Sequence, residues 1–97
     1  MKTLRMLPPA ETEMLAAAKY YESESEGLGH RFLNEVGRVS KSIIEIPNAG
    51  TVVRGNVRRR ILQRFPFALL YVIEAIEIQV VAVVDMRRQP DYWISRI

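Results

Sequence analysis

Apolar residues follow two rhythms along this chain, and the rhythm changes near Gly50. Before that point the spacing is helical. Phe32, Val36, Val39, Ile43 and Ile46 recur at intervals of four, three, four and three, laying one stripe along about four turns of helix. Arg31, Glu35, Arg38, Lys41 and Glu45 lie off that stripe. A first helix begins near Ala10, where Ala10, Met14, Ala17 and Tyr21 keep the same spacing. Pro8 and Pro9 suit its start, because proline lacks only an N–H that a first turn leaves unbonded anyway. Glu11 and Glu13 complement the positive end of its dipole. Residues 23–27 end this helix and residues 47–50 end the next, with Gly27 and Gly29 in the link between them. A link so short packs the two helices as an antiparallel hairpin.

Elsewhere the pattern is β-like. Residues 4–7 form a brief apolar stretch that the prolines stop. After Gly50, residues 57–65, 67–73 and 76–84 are rich in Val, Ile, Leu and aromatics, with turns at Phe65-Pro66-Phe67 and Glu74-Ala75. Connections this short force an antiparallel meander, since a parallel crossover needs about a dozen residues or more. Strict alternation in the last strand puts Ile76, Ile78, Val80, Ala82 and Val84 on one face and Glu77, Gln79, Val81 and Val83 on the other. Residues 90–97 read as a short helix or an extended tail. The pattern thus predicts an α+β fold in the order β-α-α-β-β-β. After an N-terminal strand, an antiparallel helical hairpin packs on one face of a small antiparallel sheet. At 97 residues the chain makes one domain, residues 1–97.

Composition narrows the chemistry. There is no Cys and only one His, His30, which removes thiolate zinc sites, cysteine nucleophiles and His-rich metal centres. No metal or cofactor is expected. The longest apolar run, Phe67–Ile73, is far short of the roughly 20 residues that cross a bilayer. The N-terminus carries no export pattern, so the expected place is the cytoplasm, with no membrane partner. Charge is uneven: residues 1–50 hold six basic and seven acidic side chains, residues 51–97 eight and four. All eight basic residues of the second half are Arg, whose planar fork grips phosphate or carboxylate bidentately. A nucleic acid, or an acidic protein, is the partner such a half suits.

Two constellations carry candidate chemistry. On a strand, Arg58, Arg60 and Arg64 share one face, while Arg59 shares the other with Val57 and Ile61. If the helices cover only one face of the sheet, the three arginines form an exposed basic stripe. It would contact phosphates or an acidic segment, or simply be solvated. The second constellation follows the last strand, where Asp85, Arg87, Arg88, Tyr92 and Trp93 reach one rim of the sheet. They would bind an anion or stack on a base. Alternatively Tyr92 and Trp93 cover the end of the core and the arginines pair with Asp85 or Asp91. His30 and the alternating Glu22, Glu24 and Glu26 read as solvated, and Gly27-Leu28-Gly29 is too short for a phosphate loop.

These segments together resemble the RelE/ParE superfamily of toxins from type II toxin–antitoxin modules, often described as plasmid stabilisation proteins. The resemblance runs over residues 17–22 (AAKYYE), 27–32 (GLGHRF), Ile46-Pro47, Val57-Arg58-Arg59, 65–71 (FPFALLY) and 88–93 (RQPDYW). It implies the same β-α-α-β-β-β order, a growth inhibitor, and a cognate antitoxin that wraps the toxin, with Arg58, Arg60, Arg64 and Trp93 as contacts. For the target it implies either DNA gyrase or ribosome-bound mRNA. In the nuclease branch Arg59, Arg87 or Arg88, and Tyr92 would be catalytic, stabilising the cleaved phosphate and moving its protons. That branch carries further basic groups where this chain has Ile61 and Ala68, and a His where it has Asp85. Asp supplies no positive charge beside a phosphate. The expectation is therefore a ParE-like toxin acting on gyrase and not an enzyme. A ribosome-dependent endoribonuclease stands second and a non-toxic basic binding module third.

Overall fold

The computed structural model describes residues 1–88 and 91–97. The chain runs β1 (Thr3–Met6), α1 (Pro8–Glu24), α2 (Leu28–Glu45), β2 (Thr51–Arg54), β3 (Val57–Ile61), β4 (Phe67–Ile73) and β5 (Glu77–Asp85), with 3₁₀ turns at Pro47–Ala49 and Tyr92–Arg96. The five strands form one sheet in the order β1-β5-β4-β3-β2. The meander β3-β4-β5 is antiparallel, as its short turns require. No helix among the described residues is long and apolar enough to cross a membrane.

The α+β class and the hairpin on a sheet match the expectation from sequence, and the sheet itself corrects it in three ways. It is mixed, because β1 returns through the hairpin and pairs parallel with β5. It has an additional strand, β2, which pairs antiparallel with the outer edge of β3. All four β2 residues are exposed, so no apolar alternation announces it. The basic strand is also shorter than residues 57–65. β3 stops at Ile61, and residues 63–66 turn through Arg64 at φ 69°, a left-handed conformation uncommon for a residue with a Cβ.

The hairpin forms as its pattern dictates. Gly29, Phe32, Val36, Val39 and Ile43 are the buried stripe of α2, whereas Ile46 leaves the helix at φ −136° and is 59% exposed. On α1 only Ala10, Ala17 and Ala18 are fully buried, small residues that let the helix lie close. At the crossing, a Cβ on Gly29 would stand 2.6 Å from the Ala18 carbonyl oxygen, so glycine sets that approach. Glu22, expected to be solvated, caps α2: its carboxylate accepts from the N–H groups of Gly27 (2.9 Å) and Gly29 (3.0 Å).

Both faces of the sheet are covered. On the helix side Leu62, Leu69, Tyr71, Ile78, Val80 and Val83 join the hairpin in one core. On the other side Val57, Ala68, Leu70, Val72, Val81, Ala82 and Val84 form a second, covered by Trp93. Burial on both faces explains why β4 and β5 read as continuous apolar runs. It also accompanies a break in the alternation expected of β5. Tyr71 pairs with Val80 and Leu70 with Ala82, leaving Val81 as a bulge. Beyond it the faces exchange, so Val83 points to the helices while Ala82 and Val84 point away.

Candidate functional site

A groove of about 480 Å³ opens between α1 and the end of β5, lined among others by Tyr20, Asp85, Arg87, Arg88 and Tyr92. It gathers most of the second constellation at one rim, as the sequence suggested. Asp85 ends β5 and is held there by pairing opposite Phe67. The chain then turns back, so that the Asp85 carboxylate accepts from the Arg87 backbone N–H (3.0 Å) and from its guanidinium (3.0 and 2.9 Å). Arg88 stands 3.9 Å from the same carboxylate and remains 84% exposed. The Arg87 hydrogen bonds, with Arg88 beside them, hold the Asp85 carboxyl below the usual range, and Asp85 raises Arg87 in turn.

Tyr92 reaches the same groove from the tail. Burial, and then the neighbouring Glu13 carboxylate, push its hydroxyl up to about 12, so it keeps its proton at neutral pH. The Arg96 guanidinium carbon lies 5.1 Å from the Tyr92 ring centroid, a cation–π distance. Arg96 is itself paired with Glu13 of α1 at 3.0 Å. Glu13, read from the sequence as complementing the helix dipole, lies beyond the first turn of α1 and serves this pair instead; 83 positions separate it from Arg96, and no local pattern links them.

The remaining candidates lie elsewhere. Arg59 pairs with Leu70, whose side chain belongs to the face away from the helices. The groove is built on Phe67 and Val83, which pack with the helix-side core. Arg59 is thus not brought to Arg87, Arg88 and Tyr92. Its Nε is buried without a hydrogen-bond partner. Arg58 and Arg60, expected on an exposed stripe, pair with Tyr71 and Leu69 and so face the helices. Arg58 donates to the carbonyls of Asn48 (3.1 Å) and Gly50 (2.9 Å), Arg60 to Ser42 Oγ (2.9 Å), and both are half-buried. The expectation of a single open face failed because the far face is apolar and covered as well. Arg64 is exposed on the turn, off the strand altogether, and Trp93 is 6% exposed beneath the sheet. Gln89 and Pro90, part of the 88–93 motif and of the expected 90–97 tail, lie outside the described residues.

No protein-family model matches the chain, and no curated protein matches it in sequence. Among solved structures, a chain titled as the chromosomal ParDE TA system from P. aeruginosa superposes with a TM-score of 0.75 at 20% identity. The match covers 88% of this chain and 96% of that one. The fold is ParE-like. Among the described residues no cluster of three metal-ligating side chains occurs on this ParE-like fold. The groove offers two arginines, two phenols and two carboxylates, Glu13 and Asp85. These can bind an anion by charge and hydrogen bonds.

The ionised carboxylates of the fold make its stability pH-dependent. Asp85 and Glu35 are both held low by arginine hydrogen bonds, and Glu77 by Arg5 and then Gln79. A folded-state value below the unfolded one, about 4 for such groups, stabilises the fold above that pH. This contribution is lost as pH falls through the lowered folded values. Thermal melts should therefore be flat from about pH 7 to pH 5 and drop below about pH 4. Asp85→Asn should remove part of that drop, and a variant that keeps the full drop would show Asp85 to be uninvolved.

Proposed function

We propose that this protein is the toxin of a type II toxin–antitoxin module, a cytoplasmic growth inhibitor held inactive by a cognate antitoxin. We further propose that it acts on DNA gyrase rather than on ribosome-bound mRNA. The ParE-like fold supports the first part. The second rests on the placement of the nuclease candidates. Cleaving RNA needs a base for the 2′-hydroxyl and several cations around one phosphate. Here Arg59 lies on the opposite face of the sheet from Tyr92, Arg87 is committed to Asp85, and Tyr92 stays protonated. The groove's two carboxylates are both engaged, Asp85 by that same arginine and Glu13 by the Val83 N–H and Arg96. Such a set binds anions and is poorly arranged to cut them.

Inducing the gene in a bacterium should stop growth, and co-expressing the adjacent antitoxin gene should restore it. In arrested cells, DNA breaks covalently linked to gyrase should accumulate while mRNA stays uncut. Ribosome-dependent mRNA ends that vanish with Tyr92→Phe or Arg88→Ala would establish the endoribonuclease instead. Normal growth with soluble protein present would leave a basic binding module.

A further inference from the structure

A second groove, about 530 Å³, lies beyond Tyr21, between α2 and the 63–66 turn. One wall is apolar, made by Tyr21, Leu28 and Phe65. The other is basic. Arg31 and Arg38 stand seven residues apart on α2, about two turns or 10 Å along one face, and Arg64 faces them from the turn. Arg38 is neutralised by Glu35 through two 2.7 Å hydrogen bonds. Arg31 and Arg64 belong to no ion pair among the described residues, which leaves two uncompensated positive charges at the groove.

The geometry is built rather than accidental. The Glu35 carboxylate is 12% exposed and accepts, besides Arg38, the backbone N–H of Gln63. It thereby pins the turn to α2 next to Arg64, the only non-glycine residue at positive φ among the described residues. A residue with a Cβ stays in that conformation only when its surroundings hold it there, and such strain gathers at binding sites. Phe65 follows at once and packs edge-on to Tyr21 at 4.9 Å, so the same turn sets the apolar wall and the third arginine.

We propose that this groove docks an acidic amphipathic protein segment. Its carboxylates would meet Arg31 and Arg64, and its apolar side chains the Leu28–Phe65 wall. Charge complementarity decides the sign, and the apolar wall decides the class of partner. Sequence-independent nucleic-acid binding draws on about 6–10 phosphate contacts, whereas two free arginines supply few, and phosphates gain nothing from Leu28. An amphipathic helix satisfies both walls at once. The identity of the partner rests on the toxin reading, in which this segment belongs to the antitoxin; the groove itself does not.

Binding kinetics of the purified full-length protein against the product of the adjacent antitoxin gene test this, measured at two salt concentrations. Arg31→Ala/Arg64→Ala should weaken binding about tenfold, mainly through slower association at low salt. Leu28→Glu, which places an acid in the first turn of α2 where the helix tolerates it, should weaken binding mainly through faster dissociation. Arg54→Ala, on the exposed β2 strand, should leave binding unchanged. Unaltered binding by both groove variants overturns the docking site while the toxin reading stands. No complex with the unsubstituted protein overturns the toxin reading and with it the partner named here. If the double variant instead loses affinity only for a fluorescent 20-nucleotide DNA strand, the groove serves nucleic acid and the proposal fails.

Discussion

Replacing Phe32 with alanine should destabilise the protein by about 3–5 kcal/mol. Phe32 is fully buried and sits at the centre of an aromatic cluster, with ring centroids 5.4 Å from Tyr21 and 5.2 Å from both Phe65 and Phe67. It joins three parts of the chain: α2, on which it sits, α1 through Tyr21, and the turn into β4 through Phe65 and, at the start of the strand, Phe67. Truncation loses the transfer free energy of the ring and leaves a cavity that these rigid neighbours cannot close. A domain of this size has only about 5–15 kcal/mol in total, so the variant should be marginal at 37 °C. Urea unfolding followed by circular dichroism measures the loss. A change below about 1 kcal/mol would mean that the cluster relaxes into the gap and that the hairpin is anchored elsewhere. Phe65 also walls the second groove, so partner binding should weaken together with stability, a coupling that Arg31→Ala/Arg64→Ala should not show.

The parts of this fold that could be read from sequence are those where one face meets the core and the other meets water. α2 is the clearest. Its stripe from Phe32 to Ile43 is the buried set, and the reading failed only at Ile46, where the helix had already ended. β5 defeated the same logic twice, because both faces are apolar and the bulge at Val81 shifts the alternation by one. β2 was invisible for the opposite reason. Its residues bury nothing, and it forms because the outer edge of β3 presents backbone groups to pair with. The candidate site divides along the same line. Arg87, Arg88 and Tyr92 are close in sequence, at a strand end, so their meeting was legible. The place of Arg58, Arg59 and Arg60 depends on which face is covered by what. That was set by the tail tucking Trp93 beneath the sheet, which a local pattern does not report.

The same tail carries the second large effect, expected on replacing Glu13 with alanine. β1 pairs with β5 only as far as Val80, after which Leu7 N–H donates to the Val80 carbonyl at 3.0 Å and the chain departs into α1. Past this point β5 has an edge with no neighbouring strand, and side chains satisfy it. The Glu13 carboxylate accepts from the Val83 N–H at 3.1 Å, and Arg96 donates to the Val81 carbonyl at 3.0 Å. The two side chains then close on each other through hydrogen bonds of 3.0 and 3.2 Å. Arg96 is 23% and Glu13 19% exposed, so water replaces these bonds only in part. Glu13→Ala strips the acceptor from a strand N–H and leaves a largely buried guanidinium with one partner, a loss of about 2–4 kcal/mol. Glu13→Gln keeps an acceptor for Val83 and should recover about half of it. The damage should fall first on the tail, because Arg96 and the packing of Trp93 and Ile94 hold residues 91–97 against the sheet. Trp93 is the sole tryptophan, so its fluorescence reports this directly. In Glu13→Ala the emission should shift to the red at lower urea than the loss of helical circular dichroism, whereas in the unsubstituted protein the two should coincide. Coincident curves in the variant would place the tail in the same cooperative unit as the hairpin. The ion pair would then stabilise the domain as a whole rather than latch its end.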